Sequence, residues 1–265
     1  MVNALPNAEP VLSKIWIYPI KSLDGVSVES STLTSGGALT LDREFALVDQ
    51  SDRFINAKRT AQIHLVRSQF DIPKRLVTLS SPEHAPETFS LESDRPKIEA
   101  WLTQFFGFDV KLIQNQDSGF PDDLEASGPT IISEATLAEA ASWFDGITVD
   151  NMRSRLRTNL ELTGVPAFWE DVLFSSPIKE TGFYLGDIAF QGTNPCQRCI
   201  VPTRDPLTGE VWKKFQKQVG EQRKASLPAW ADVTPFNHYY RLAVNTKIAS
   251  TEIAKTVQVG MQITI

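Results

Sequence analysis

Both cysteines of the chain fall in one short stretch, Asn194-Pro-Cys-Gln-Arg-Cys199, so any chemistry of sulfur is concentrated there. A thiolate, not a thiol, is the metal ligand and nucleophile, and a neighbouring cation favours the charged form; Arg198 directly precedes Cys199. The residues that follow, Ile200 to Glu210, hold two prolines and a glycine, which predicts a turn-rich loop that fixes the direction of a ligand.

Four readings of the Cys196/Cys199 pair compete. Structural zinc needs about four ligands, yet there is no second cysteine pair, and His64, His84 and His238 are isolated in the sequence. A thioredoxin-like redox pair belongs between a strand and a helix start, whereas the flanks here are Asn194-Pro195 and a proline-rich loop. Ordinary buried cysteines are the bland reading. In the fourth, one thiolate ligates a soft, thiophilic metal whose other sites belong to a cofactor held by its own anionic groups.

The fourth reading requires phosphate-binding groups elsewhere. Lys21-Ser22 offers an ammonium and a hydroxyl in the loop Pro19 to Gly25, bounded by proline and glycine. Arg43, ahead of a strand, and Arg157 with Asn159, ahead of Leu160-Glu-Leu, are donors suited to multidentate recognition. Each has a plain alternative as a solvated lysine or a surface ion pair.

The elements that would position these groups are mostly strands. Ser13–Tyr18 is aromatic and β-branched and stops at Pro19; Val26–Thr34 alternates; Arg43–Val48, a turn at 49–52, and Arg53–Ile55 read as strand, turn, strand. A helix is predicted from Asp94 to Phe106, with Pro96 in its first turn, Ile98, Trp101, Leu102 and Phe105 at helical spacing, and Gly107 after it. A strand over Asp109–Ile113 follows, then a polar Gly/Pro/acidic segment, 115–128, that reads as a linker. Ser133 is placed to cap a helix bearing Leu137, Ala141 and Phe144. Strands from Leu160, Phe183 and Ile188, a charged helix over Trp212–Ala225, and a period-two closing strand over Thr256–Ile265 complete the reading.

At 265 residues the chain can bury a large core, and a two-part organisation split at the linker is expected. A net charge of -6 without a long basic run argues against nucleic acid or a membrane surface as partner. The first ten residues lack the positive and apolar regions of a secretory signal, and no apolar run approaches the ~20 residues of a spanning helix, so a cytoplasmic protein is expected.

Taken in order, these segments resemble the MOSC superfamily, in the branch of the mitochondrial amidoxime-reducing component and its bacterial relatives. Tyr18-Pro-Ile-Lys-Ser22 looks like that family's YPIKS segment, and Gly37 with Leu41-Asp-Arg43 like its GL-x-x-DR. Arg155-Leu-Arg-Thr-Asn159, with Phe168-Trp-Glu-Asp171, is similar to RFRPN and the acidic pair after it. Cys196-Gln-Arg-Cys-Ile200, followed by Pro202 to Gly209, looks like the cysteine motif. Leu23 and Thr158 depart from the common pattern without removing a charge.

The resemblance implies an α+β protein: a strand-rich N-terminal domain, residues 11–115, packed on a C-terminal β-barrel-like MOSC domain, residues 129–265, with molybdenum cofactor (Mo-molybdopterin) clasped between them. It implies Cys199 as metal ligand and catalytic centre, and Lys21, Ser22, Arg43, Arg157, Asn159, Gln197 and Arg198 as cofactor-binding residues. The activity implied is reduction of N-hydroxylated compounds, with Glu170 or Asp171 as an optional proton donor. The sequence has no ferredoxin cysteine cluster, flavin fingerprint or haem-attachment motif, so a separate electron-donating reductase is expected, a flavoprotein with an iron–sulfur or cytochrome carrier. The alternatives are sulfur transfer or cofactor delivery through these cysteines, and a pterin-free ligand-binding module.

Overall fold

The computed structural model describes residues 9–174 and 181–265; the expectation of an unstructured, signal-free start falls mostly on residues 1–8, outside that range. The N-terminal part is built of β1 (Val11–Ile17), β2 (Val26–Val28), β3 (Ser30–Thr32), β4 (Phe45–Val48), β5 (Arg67–Asp71), β6 (Leu76–Ser81), β7 (His84–Ser90), α1 (Arg95–Phe106) and β8 (Lys111–Gln114). After the polar segment come β9 (Gly128–Ser133), α2 (Glu134–Ser142), α3 (Val149–Leu156), β10 (Leu160–Thr163), β11 (Thr181–Leu185) and β12 (Ile188–Gln197). The chain ends with α4 (Phe215–Ala225), β13 (Arg241–Ile248), β14 (Thr256–Gln258) and β15 (Ile263–Thr264). The fold is mixed α+β and strand-rich.

Eight strands form the main sheet in the order β15-β11-β12-β13-β9-β10-β1-β2. It draws β1 and β2 from before the polar segment and the rest from after it. No closed barrel forms among the described residues, although the start of β1 is bonded to the segment entering β15 through Leu12 N to Met261 O, Gly260 N to Leu12 O and Ile263 N to Pro10 O, with a bridge between Val11 and Gln262. Pairing is antiparallel except between β9 and β10, whose parallel register is reached through the crossover α2–α3. In β1 a register shift between Leu12 and Lys14 brings Leu12, Ile15 and Ile17 onto one buried face, which strict alternation would not allow.

The helices start and stop where their end residues dictate. Pro96 occupies the first turn of α1, and Gly107 at φ +75 ends it, its N–H bonding Thr103 O. Ser133 Oγ accepts the Thr136 N–H at 3.0 Å and so caps α2. The charged helix is shorter than Trp212–Ala225, because its first turn begins at Phe215.

Two expected strands divide. Val26–Thr34 splits into β2, paired with β1, and β3, paired with β14; one run serves two sheets. The closing run splits likewise, β14 pairing β3 and β15 pairing β11, with Gly260 at φ +92 turning the chain between them. The three-stranded sheet β5-β6-β7 was not anticipated from sequence. Its Val77 and Leu79 join Ile98 and Leu102 of α1 in a core that continues to Ile131, Leu160 and Val244 of the main sheet. A second apolar cluster, including Leu137, Phe144, Met152, Phe215 and Val219, packs α2, α3 and α4 against that sheet. Among the described residues no helix is long and apolar enough to cross a membrane.

Candidate cofactor cleft

The loops after β1, β3, α3 and β12 and the start of β13 converge on one cleft of about 850 Å³. All eight residues singled out from the sequence line it: Lys21, Ser22, Arg43, Arg157, Asn159, Gln197, Arg198 and Cys199. Arg155 and Asp42, part of the sequence motifs but not named as site residues, line it too, as do Arg241, Lys58, Asp122 and Asp123, to which the sequence did not point. The polar segment 115–128 crosses beside the cleft, held by bonds from Phe120 N to Arg43 O and from Ser127 Oγ to Gly36 O.

Local backbone geometry sets each side chain. Ser22, Arg43 and Arg157 hold left-handed φ values of +73°, +52° and +53°. Non-glycine residues in that region carry strain and tend to mark sites that need one side-chain direction. For Arg157 the cause is visible: it ends α3, its N–H bonding Arg153 O.

Tyr18 is the platform beneath two of these cations. The Arg157 guanidinium lies 4.2 Å and that of Arg43 5.0 Å from its ring centroid. Burial pushes the Tyr18 phenol up to about 12 despite both arginines, so it stays neutral. Arg43 is steered by Asp42 and by the Arg157 carbonyl at 2.9 Å. Arg157 has no ion pair and no side-chain hydrogen bond among the described residues, and its buried Nη2 is without a partner. Burial lowers its pKa, and Arg43 nearby adds to that, so the site pays electrostatically for holding two guanidinia together.

Lys21 Nζ donates to Phe120 O and Asp122 Oδ1, both at 2.7 Å, and burial brings it below the usual lysine range. Asp122 is shared with Lys58 at 3.0 Å, and the two lysines hold its carboxyl well below the usual range against the effect of burial. Ser22 Oγ accepts the Ala57 N–H at 3.2 Å, which leaves its hydroxyl proton to donate. Asn159 spends its amide on the scaffold: Oδ1 accepts from Thr130 and Nδ2 donates to Trp16 O, which ties together the strands around it.

Around the cysteines, Arg155 clamps the loop by donating to Pro202 O (2.9 Å), Arg204 O (2.6 Å) and Asp205 Oδ2 (3.3 Å). Arg198 reaches Cys196 Sγ at 3.2 Å and the Leu156 carbonyl, so its direct contact is with the first cysteine. Tyr240 OH fixes the Cys199 carbonyl at 3.1 Å, while the Cys199 thiol has no hydrogen bond among the described residues. Arg241 donates to Pro195 O at 2.7 Å and pairs in register with Gln197.

The cleft fits a large anionic, hydrogen-bonding ligand with a soft metal. Seven cationic side chains line it against three carboxylates, in a chain whose net charge is -6. Among the described residues, buried donors on Arg198 (Nε) and Arg241 (Nε) have no partner. Unpaired buried donors cost roughly 1–3 kcal/mol each, a cost that a ligand accepting from them in the cleft would offset. No cluster of three or more His, Cys, Asp or Glu able to hold a metal exists among the described residues, so a structural zinc site has no support there.

Glu170 and Asp171, considered as proton donors, do not line the cleft. Asp171 is ion-paired with buried Arg223. Burial, reinforced by the neighbouring Asp171, pushes Glu170 up from 4.5 to about 7. A carboxyl raised in the folded state supports the fold below about pH 4.5, and that support is lost as pH rises through 7. Glu170→Gln is therefore expected to match wild type at pH 4.5 and to exceed it by about 3 kcal/mol above pH 8 in urea unfolding. Equal stability at both pH values would refute the raised pKa.

Comparison with known proteins agrees with this geometry. A family model described as the MOSC N-terminal beta barrel domain matches residues 9–149, over half of the chain. Mitochondrial amidoxime reducing component 2 of Bos taurus is 25% identical over 246 residues, covering 77% of this chain and 69% of that protein. Human mitochondrial amidoxime-reducing component 1 is 24% identical over 247 residues, covering 77% and 68%. Molybdenum cofactor sulfurase of Bos taurus is 24% identical over 263 residues, which is 81% of this chain but 29% of the sulfurase. With the matched model spanning most of the cleft's N-terminal wall, the chain belongs to the MOSC family.

Proposed function

We propose that the chain is a molybdenum-cofactor-dependent oxidoreductase that reduces N-hydroxylated compounds such as amidoximes, hydroxylamines and N-hydroxylated bases. The observation that carries the reading is the excess of cations, several with unpaired buried donors, around a cleft that also exposes an unbonded cysteine thiol. The names of the amidoxime reducing relatives support the substrate class.

When bound, the cofactor supplies two-electron oxygen-atom chemistry at its metal. The chain's residues do the rest. Lys21, Ser22, Arg43 and Arg157 receive the anionic part of the cofactor, with Asn159 aligning the strands beneath them. Gln197 and Arg198 would offer donors beside Cys199, which would supply the thiolate, and Arg155 holds the loop that carries it. Electrons come from a separate reductase, a flavoprotein with an iron–sulfur or cytochrome carrier, and the protein works in the cytoplasm.

The match to molybdenum cofactor sulfurase supports a second reading, sulfur transfer or cofactor delivery. The deciding experiment is metal and pterin analysis of wild-type protein from a host competent in cofactor synthesis, with hydroxylamine turnover under a chemical reductant. About one molybdenum per chain with turnover is expected. Metal-free protein carrying labile sulfane sulfur would replace the reductase reading with the carrier.

A further inference from the structure

Behind Arg157 lies a second cavity of about 120 Å³, which touches the cleft only through Ser22, Ala57, Arg155, Arg157 and Val201. Five arginines line it against one carboxylate, Asp24. Three of the five are already neutralised: Arg67 by Asp24, Arg153 by Glu161 and Asp150, and Arg155 by Asp205. Arg157 and Arg204 have no carboxylate partner among the described residues.

Four buried polar atoms of the lining residues lack any partner: Trp16 Nε1, His64 Nε2, Arg157 Nη2 and Arg204 Nε. Three of them are donors. His64 is 8% exposed, and burial, with Arg157 and Arg204 close by, pushes it down to about 4, so the ring is neutral at pH 7. Its other nitrogen is directed at the Pro206 carbonyl, which leaves Nε2 as an acceptor. Ordered water could satisfy these hydrogen bonds but would leave two guanidinium charges uncompensated in a confined space.

We propose that this cavity binds hydrogen phosphate, an oxyanion that accepts from Trp16, Arg157 and Arg204 while donating its own O–H to His64. The volume suits one tetrahedral ion. Arg157 faces both cavities, so phosphate there is electrostatically coupled to whatever anion the cleft holds. The phosphate bound is free ion, not the phosphate end of a cofactor reaching through from the cleft, and the site does not depend on the proposed activity.

The test is calorimetric titration of sodium phosphate at pH 7 and constant chloride, into protein carrying its cofactor and protein stripped of it. One site is expected in both forms, with sulfate at least tenfold weaker because it has no proton to give His64. Trp16→Phe, which removes only an unpaired donor, should weaken phosphate at least tenfold without lowering Tm; Arg204→Gln, which also gives up the bond to Gly209 O, should weaken phosphate at least tenfold while the cleft residues stay intact. Absence of phosphate binding, sulfate binding as tightly, or full affinity in Arg204→Gln would overturn the proposal. Binding to stripped protein alone would overturn it too, since the cavity would then belong to the cofactor.

Discussion

On the proposed function, Cys199→Ala is expected to bind no molybdenum cofactor in a competent host while Cys196→Ala keeps most of the wild-type metal, although the two thiols are three residues apart in one loop. Cys196 Sγ is engaged by Arg198 at 3.2 Å, and its side chain packs beside the apolar cluster under α2–α4. Cys199 has its backbone fixed through Tyr240 and its thiol unbonded at the cleft wall, the condition a ligand needs. Loss of a residue that merely orients a ligand typically costs about 10–100-fold in metal affinity, and loss of the thiolate itself should exceed that. Elemental analysis should therefore read less than about a tenth of the wild-type metal in Cys199→Ala. Cys196→Ala should keep most of the wild-type metal, because its thiol is engaged by Arg198 and not offered to the cleft. Both variants should melt within a few degrees of wild type, since neither thiol is fully buried. The reverse order of metal loss would assign the ligand to Cys196 and undo the reading of the loop.

How much of this was legible in the sequence depends on the range of the interactions involved. Helices α1 and α2 were readable because their signals are local: Pro96 and Gly107 for one, the Ser133 cap for the other. Helix α3 was not, because Val149–Leu156 buries Arg153 and Arg155 where an apolar stripe would normally lie. Those arginines are satisfied by Glu161 on β10 and by the carbonyls of the cysteine loop, partners that no local pattern reveals. Strand runs 26–34 and 256–265 carried the right periodicity, but which sheet each half joins is settled only by long-range pairing. The eight motif residues do meet in one place, because each lies in a short loop or at the end of the element that enters it, where local composition marks it. Arg241 was invisible, being one cation at the head of a strand with no motif around it. The positive character of the cleft was equally hidden, since it is assembled from separate loops of an acidic chain.

Asp171→Asn is expected to cost about 3–5 kcal/mol in unfolding free energy, the penalty for leaving a buried charge without its counterion. The charge in question is Arg223 of α4, 1% exposed, ion-paired with Asp171 and stacked on the Phe168 ring at 4.2 Å. Its Nε and Nη1 have no partner, so nothing nearby replaces the lost carboxylate. Burial raises the Asp171 pKa and Arg223 opposes it without cancelling it, so desolvation outweighs the attraction within the pair. For a chain of this size each kcal/mol moves Tm by roughly 2–4 °C, so a fall of about 10 °C is expected. Removing both charges, as in Asp171→Leu with Arg223→Met, should recover most of that loss, because two apolar side chains need no counterion. The same variants separate architecture from catalysis. If Asp171 only anchors α4, turnover per bound molybdenum and its pH profile will be unchanged in the double variant. A selective fall in turnover with the metal retained would mean that the carboxylate does deliver protons, through a path the folded cleft does not display.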